Sequence, residues 1–87
     1  MFKTGIRREE LYRKIRVMAN KTRFRMLELT QNGSKTVTEL SRETNLAYNK
    51  CADYVTMLEK EGLVEKRRDG REMLVKANIN LDKVKMD

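Results

Sequence analysis

The sequence predicts one small, mainly α-helical domain that carries a two-stranded β-hairpin. Apolar residues recur at intervals of three and four through residues 9–61, which is the spacing of amphipathic helices. The spacing changes to alternation over residues 63–77, on both sides of the dipeptide Asp69-Gly70, and this arrangement is typical of a hairpin. The length of 87 residues suits a single domain over 1–87 and excludes a Rossmann fold or a TIM barrel.

The charge of the chain points to an anionic partner. Twenty Lys and Arg against thirteen Asp and Glu give a formal charge of +7. Nucleic acid is the first candidate partner and an anionic membrane surface is the second, while a merely soluble basic protein is the plain alternative. Residues 1–30 carry nine cations and three anions, whereas residues 31–60 carry four of each. The positive charge is therefore concentrated towards the amino terminus.

Missing residue types exclude several kinds of site. The chain has no His and a single Cys, Cys51, so one chain cannot supply a zinc site, an intrachain disulfide or a His-activated nucleophile. Apolar runs are too short to span a membrane. We therefore expect no enzyme activity, no metal, no cofactor and no membrane partner. A reducing cytoplasm, with association to the nucleoid, is the expected location.

The amino-terminal third predicts a basic arm and two helices. Residues 1–8 form the arm, and residues 9–19 form a first helix with Leu11, Ile15 and Met18 on one stripe. A second helix covers about 21–31 and ends at Asn32-Gly33. Its expected inward-facing residues are Phe24, Leu27 and Met26.

Residues 36–61 predict two helices joined by a tight turn. Thr36-Val37-Thr38-Glu39 has the form of a capping box, in which Thr36 caps the helix and Glu39 reaches back. The helix ends near Asn45, the best residue after Gly for a left-handed turn. The next helix follows from Ala47, a poor N-cap. Its buried stripe is Cys51, Val55 and Leu58, and its outer face carries Tyr48, Asn49, Lys50, Ala52, Asp53 and Thr56.

Residues 63–77 predict a hairpin with a basic tip. The strands are 63–67 and 71–77, and Asp69-Gly70 suits a type I′ turn. The cations at the tip are Lys66, Arg67, Arg68 and Arg71. The tail, 79–87, predicts a short and weak helix through Leu81 and Val84.

Two helices joined by a tight turn and followed by a basic hairpin constitute a winged helix-turn-helix, with three to four helices and a two-stranded wing. A helix fits the major groove of B-DNA, which is about 12 Å wide. The first helix of the pair then crosses the backbone, and the wing reaches phosphates or the neighbouring minor groove. The arrangement therefore predicts binding to double-stranded DNA.

Three segments carry a resemblance to a known family. TRFRMLELTQNG, TVTELSRETNL and LEKEGLVEKRRDGR, in this order, resemble winged-helix repressors of the arsenic-repressor type. TNLAYNKCADYVTMLEKEGLVE resembles a group of small archaeal winged-helix DNA-binding proteins. The resemblance covers about 18–78 and implies a sequence-specific transcription regulator, with repressor as the first interpretation. It does not extend to metal sensing, because the Cys pairs and His clusters of the metal-sensing members are missing.

The resemblance implies a recognition helix over 47–61 and DNA contacts from the wing. The expected groove-facing residues are Tyr48, Asn49, Lys50, Asp53 and Thr56, and the expected wing contacts are Lys66, Arg67, Arg68 and Arg71. The candidate backbone contacts elsewhere are Thr36, Thr38, Arg23 and Arg25.

Each candidate has a plainer alternative. Tyr48 could be half-buried packing, Asp53 an ordinary exposed acid, and the wing tip a solvated hairpin. Arg23 and Arg25 could instead form ion pairs with Glu28 or with tail carboxylates. Cys51 is more typical of a small buried side chain than of a redox group.

The first helix predicts a homodimer, because its apolar stripe exceeds what a three-helix core needs. The expected dimer interface is Leu11, Tyr12, Ile15, Met18, Leu81 and Val84. Two alternative functions are compatible with the same fold. One is a non-specific architectural or chromatin protein, and the other is a protein-interaction module.

Overall fold

Four helices and a three-stranded antiparallel sheet make up residues 7–83, which are the residues that the computed structural model describes. The helices are α1 (Arg8–Met18), α2 (Lys21–Leu29), α3 (Val37–Thr44) and α4 (Tyr48–Lys60), and the strands are β1 (Lys35–Thr36), β2 (Val64–Asp69) and β3 (Glu72–Ala77). A short 3-10 helix follows at Leu81–Lys83. The predicted winged helix-turn-helix fold is confirmed. No helix within 7–83 is long and apolar enough to cross a membrane.

The sheet has one more strand than the sequence predicted. The strand order is β1-β3-β2, with Lys35 opposite Val75 and Thr36 opposite Leu74. Two residues are too few to show an alternating pattern, so β1 has no signature of its own. Its pairing anchors the amino-terminal end of α3 to the base of the wing.

The wing turn lies one residue further along the chain than predicted. Asp69 pairs with Glu72, so Gly70 and Arg71 are the central residues of the turn. Gly70 has φ +65°, and Arg71 does not have a positive φ. A type I′ turn needs positive φ at both central positions, whereas type II′ needs it only at the first. The predicted type I′ turn is therefore wrong, and a type II′ turn fits.

The helix boundaries follow local capping chemistry. Asn20 Oδ1 accepts a hydrogen bond from the backbone N–H of Arg23 at 2.9 Å, which caps α2. The predicted capping box at Thr36 and Glu39 is present. Asn45 lies in the left-handed region at φ 59° and ψ 40°, and it ends α3 as predicted. Ala47 caps α4 without a side-chain hydrogen bond.

The core lies where α2, α3 and α4 meet the sheet. Its buried side chains are Met26, Leu27, Val37, Leu40, Cys51, Val55, Leu58, Leu63, Val64 and Val75. The hydroxyl of Thr30 is buried with them and donates to the carbonyl of Met26 at 2.8 Å. A buried polar group that keeps its hydrogen bond avoids most of its desolvation cost.

Two parts of the predicted core and tail differ in the structure. Phe24 is half-exposed and lines an open groove with Met18. Met26, Leu27 and Thr30 define the buried face of α2, and Phe24 lies roughly a third of a turn around the helix from the centre of that face. The tail forms the single 3-10 turn in place of a longer helix. Val84 and most of the predicted arm (residues 1–6) lie outside the described residues.

Leu58 and Met57 provide a direct test of the core, because they are neighbours on α4 with opposite environments. Leu58 is fully buried, whereas Met57 is 40% exposed. Leu58→Ala is expected to lower the free energy of unfolding by about 2–5 kcal/mol. The control Met57→Ala is expected to cost less than about 1 kcal/mol, as surface substitutions do. Urea denaturation measures both, and equal losses would contradict this core.

Candidate nucleic-acid interface

The amino-terminal half of α4 presents polar side chains to solvent. Tyr48, Asn49, Lys50 and Asp53 are exposed, and Thr56 is half-buried. The opposite face of the helix is the buried stripe Cys51, Val55 and Leu58. One helix thus has a fixed side in the core and a free side with hydrogen-bonding groups. Tyr48, which could have been packing, is 51% exposed.

Three of the four wing cations are free of ion pairs within residues 7–83, and the fourth is not. Arg67, Arg68 and Arg71 are exposed at the tip of the hairpin. Lys66 Nζ lies 3.3 Å from the Glu59 carboxylate of α4, and the Lys66 side chain is 26% exposed. This ion pair ties the wing to the last turn of α4. Lys66 therefore has a structural partner that the sequence did not indicate.

Alternation along β2 distributes these cations over two faces of the hairpin. Val64 is buried, so Lys66 and Arg68 follow it on the core-facing side. Arg67 lies on the other side, opposite Leu74 of β3. The hairpin thus carries guanidinium groups on both of its faces.

Thr36, a candidate contact to the DNA backbone, is the N-cap of α3. The hydroxyl of Thr36 accepts from the Glu39 N–H at 3.0 Å, and the Glu39 carboxylate accepts from the Thr36 N–H at 2.9 Å. The hydrogen bond from the Thr36 backbone holds the pKa of Glu39 below its ordinary value of 4.5. The cap uses the Thr36 hydroxyl as an acceptor, which leaves its proton available to another group. Thr38 is half-buried in the same turn.

The two arginines of α2 have different environments. Arg25 lies 3.5 Å from Glu28, and both side chains are largely exposed; such surface pairs contribute little to stability. Arg23 is held more firmly. Its Nε donates to the carbonyl of Val17 at 2.7 Å, and its guanidinium lies 4.8 Å from the centre of the Tyr54 ring.

Tyr54 was not among the candidate residues predicted from the sequence, yet its ring contacts two of them. Lys50 Nζ lies 5.1 Å from the centre of its ring, so the aromatic ring contacts a cation from α2 and a cation from α4. The spacing of Lys50 and Tyr54, four residues on one helix, was an available signal for the second contact. The first contact joins residues that are distant in sequence and has no local signature.

The expected dimer residues divide into two groups. Leu11, Tyr12 and Ile15 are 47%, 61% and 54% exposed, and α1 has no buried residue. Met18 and Leu81 are half-buried against the core of their own chain. The exposed apolar face of α1 is therefore formed by the first three residues.

Polar contacts hold α1 in place. Lys14 Nζ donates to the carbonyl of Glu61 at the end of α4, and Arg13 lies 3.7 Å from the Glu61 carboxylate. The hydrogen bond from Arg23 to the carbonyl of Val17 holds the carboxyl-terminal end of α1. This attachment leaves Leu11, Tyr12 and Ile15 exposed, while Met18 packs against the core.

Cys51 is a core side chain, as predicted. It is fully buried, and burial raises the pKa of its thiol. A raised pKa keeps the sulfur protonated and unreactive at neutral pH. Within residues 7–83 no group of His, Cys, Asp or Glu has the arrangement of a metal site.

Comparison with known proteins establishes the family of this chain. A family model described as winged helix-turn-helix DNA-binding matches residues 20–65, which is more than half of the 87-residue chain. The chain belongs to this family. The matched region contains α2, α3 and α4 and the start of the wing strand β2. No curated protein matches the sequence.

Solved structures of other winged-helix proteins have the same fold. The homodimeric DNA-binding domain of a possible ArsR-family transcriptional regulator from Mycobacterium bovis is similar over 88% of this chain and 75% of that one, with TM-score 0.75 and 23% identity. HlyU from Vibrio cholerae is similar over 85% and 80%, with TM-score 0.76 and 20% identity.

A third structure agrees with the resemblance that the motifs indicated. It is a possible transcriptional regulator for arsenical resistance, 28% identical, with TM-score 0.72 over 75% of this chain and 68% of that one. The resemblance to the arsenic-repressor type is thereby confirmed. The resemblance to small archaeal proteins stays a prediction.

Proposed function

We propose that this winged-helix protein is a homodimeric, sequence-specific transcription regulator. The observation that carries the proposal is that α4 has an exposed polar face and that the hairpin following it ends in an exposed basic tip. In this proposal α4 enters the major groove, where Asn49 and Lys50 reach base edges and Tyr48, Asp53 and Thr56 complete the contact surface. Repression is the proposed mode of regulation, in keeping with the arsenic-repressor resemblance.

The chemistry of α4 suits discrimination between bases. An Asn side chain pairs with adenine through two hydrogen bonds, and Lys donates to guanine or to phosphate. Asp53 can accept from cytosine. The segment that contains these residues, 31–60, has no net charge, so α4 supplies hydrogen-bonding pattern more than electrostatic attraction.

The chemistry of the wing suits affinity. Arg67, Arg68 and Arg71 are the proposed phosphate or minor-groove contacts, because their guanidinium groups are exposed and carry several donors. Lys66 has a smaller role in the proposal, since its ammonium is already paired with Glu59. Thr36, Thr38 and Arg25 are proposed as weaker contacts to the backbone from the start of α3 and from α2.

A homodimer supplies what one protomer lacks. The three wing arginines that have no ion pair within residues 7–83 give few phosphate contacts, and affinity for DNA rises steeply with the number of phosphates contacted. Two copies that pair through Leu11, Tyr12 and Ile15 would double that number and present two recognition helices to half-sites about 34–36 Å apart. The exposure of these three side chains supports this interface, and the Mycobacterium bovis domain is itself homodimeric.

Asn49→Ala and Arg68→Ala separate the two proposed roles. A selection from random DNA first supplies the preferred duplex, and fluorescence anisotropy then measures affinity across a salt series. Asn49→Ala is expected to lose about 1–3 kcal/mol on the preferred duplex and little on a mixed-sequence duplex. Arg68→Ala is expected to weaken both duplexes alike and to reduce the salt slope by about one.

Glu65→Gln is the control for these variants, because Glu65 is exposed on β2 and is outside the proposed contact set. It is expected to bind both duplexes about as well as the parent protein. If the selection returns no motif, a non-specific architectural role replaces sequence-specific regulation. If the protein binds no duplex at about 50 mM salt, a condition that favours phosphate contacts, the winged helix serves a protein partner.

Ile15→Asp tests the dimer interface. Burial of a new carboxylate in an apolar contact is strongly unfavourable, so sedimentation equilibrium at tens of micromolar is expected to show the 10.3 kDa monomer. The parent protein and the exposed α1 control Glu9→Gln are expected to sediment as dimers. A monomeric parent protein at these concentrations, or a variant that stays dimeric, would overturn the interface.

A further inference from the structure

Arg23, Tyr54 and Lys50 form a connected cluster between α2 and α4. The Arg23 guanidinium carbon and the Lys50 Nζ lie 4.8 and 5.1 Å from the centre of the Tyr54 ring. Both distances are within the range of a cation–π interaction, which is about 6 Å. The Tyr54 ring therefore contacts two cationic side chains, Arg23 and Lys50, that would otherwise repel each other.

Arg23 makes two further contacts, one with α1 and one with α4. Its Nε donates to the carbonyl of Val17 in α1 at 2.7 Å, and its Nη1 lies 3.7 Å from the sulfur of Met57 in α4. The side chain thus joins the last turn of α1 to the middle of α4. A guanidinium can do this because it is planar, stacks on a ring and donates in its own plane at the same time.

We propose that Arg23 and Tyr54 are positioning residues that hold Lys50 on the DNA-facing side of α4 and connect it to α1. The proposal rests on the proposed function, because it takes Lys50 to be a DNA contact. The ring face restricts the Lys50 side chain before DNA binds. A lysine that is already restricted loses less side-chain entropy in the complex, which raises affinity.

This role differs from a direct contact of Arg23 with the DNA backbone. Arg23 is half-buried, and its Nε–H is already used by the Val17 carbonyl. The donors that remain are on Nη1 and Nη2, and Nη1 already lies 3.7 Å from the Met57 sulfur. The cluster also gives α1 a physical connection to the recognition helix, so that displacement of α1 would alter the support of Lys50.

The cluster can be tested first in the free protein, without any DNA. The ring current of Tyr54 is expected to move the Hε resonances of Lys50 upfield of those of Lys60, an exposed lysine on the same helix. Tyr54→Phe is expected to keep this shift, whereas Tyr54→Leu and Arg23→Gln are expected to abolish or reduce it. Coincident Lys50 and Lys60 resonances in the parent protein would overturn the proposal.

The second measurement uses the duplex recovered by selection, or a mixed-sequence 30-base-pair duplex if selection returns no motif. Tyr54→Leu and Arg23→Gln are each expected to weaken binding about three- to tenfold and to leave the salt slope unchanged. Arg23→Lys is expected to weaken binding as Arg23→Gln does, because it keeps the charge but loses the planar donor. Tyr54→Phe, which keeps the aromatic face, is expected to bind like the parent protein.

The decisive comparison places Tyr54→Leu in a Lys50→Gln background. If Tyr54 acts through Lys50, the double variant binds no more weakly than Lys50→Gln alone. An additive loss of affinity in the double variant would overturn the proposal. The proposal would also fail if Arg23→Gln reduced the salt slope by about one while Arg23→Lys kept the affinity, because that result indicates a direct phosphate contact by Arg23. If the parent protein binds neither duplex, the proposed function fails, and the resonances of Lys50 alone decide whether Tyr54 holds it.

Discussion

The packing of α3 against α4 is the contact on which the remainder of the structure depends. Leu40 of α3 and Cys51, Val55 and Leu58 of α4 are exposed by at most 1%. The left-handed residue Asn45 ends α3 so that the chain can turn back within three residues. Because one face of α4 is buried in this contact, its other face is fixed towards solvent. The orientation of every candidate base contact follows from that burial.

The sheet and α1 extend this unit in two different ways. Strands β1 and β3 connect the start of α3 to the wing, and the Lys66–Glu59 pair connects the wing to α4. These connections hold the base of the wing against α3 and against the last turn of α4. In contrast, α1 adds no fully buried residue: Val17 and Met18 pack against the edge of the core, and polar contacts hold the helix as well. A small domain that keeps an apolar helix face outside its core is suited to gain stability from a second copy.

Local signals were sufficient to predict the parts of the fold that depend on short-range chemistry. The capping box at Thr36, the left-handed turn at Asn45 and the buried stripe of α4 each depend on residues within one or two turns, and all three are present. The type of the wing turn was missed because Asp-Gly in a type I′ turn and Gly-Arg in a type II′ turn occupy the same stretch of sequence. The pairing of Asp69 with Glu72 decides between them, and this register depends on how the whole of β2 and β3 pair and pack.

The contacts that could not be predicted from the sequence join side chains on different elements of the fold. Lys66 meets Glu59 across the α4–β2 corner, and Arg23 meets Tyr54 across two helices. Phe24 was expected to face inward, yet the buried face of α2 is centred on Met26, Leu27 and Thr30. The sequence shows which residues of α2 are apolar, whereas the packing of α2 against its neighbours decides which of them are buried.

The most direct test of this account is a nuclear magnetic resonance titration of the ¹⁵N-labelled protein with the duplex that it prefers. The largest amide shifts are expected on residues 48–53 of α4 and on residues 67–71 of the wing, while the α1 amides of Leu11, Tyr12 and Ile15 are expected to change little. Shifts concentrated on α1, with residues 48–53 unchanged, would contradict this account.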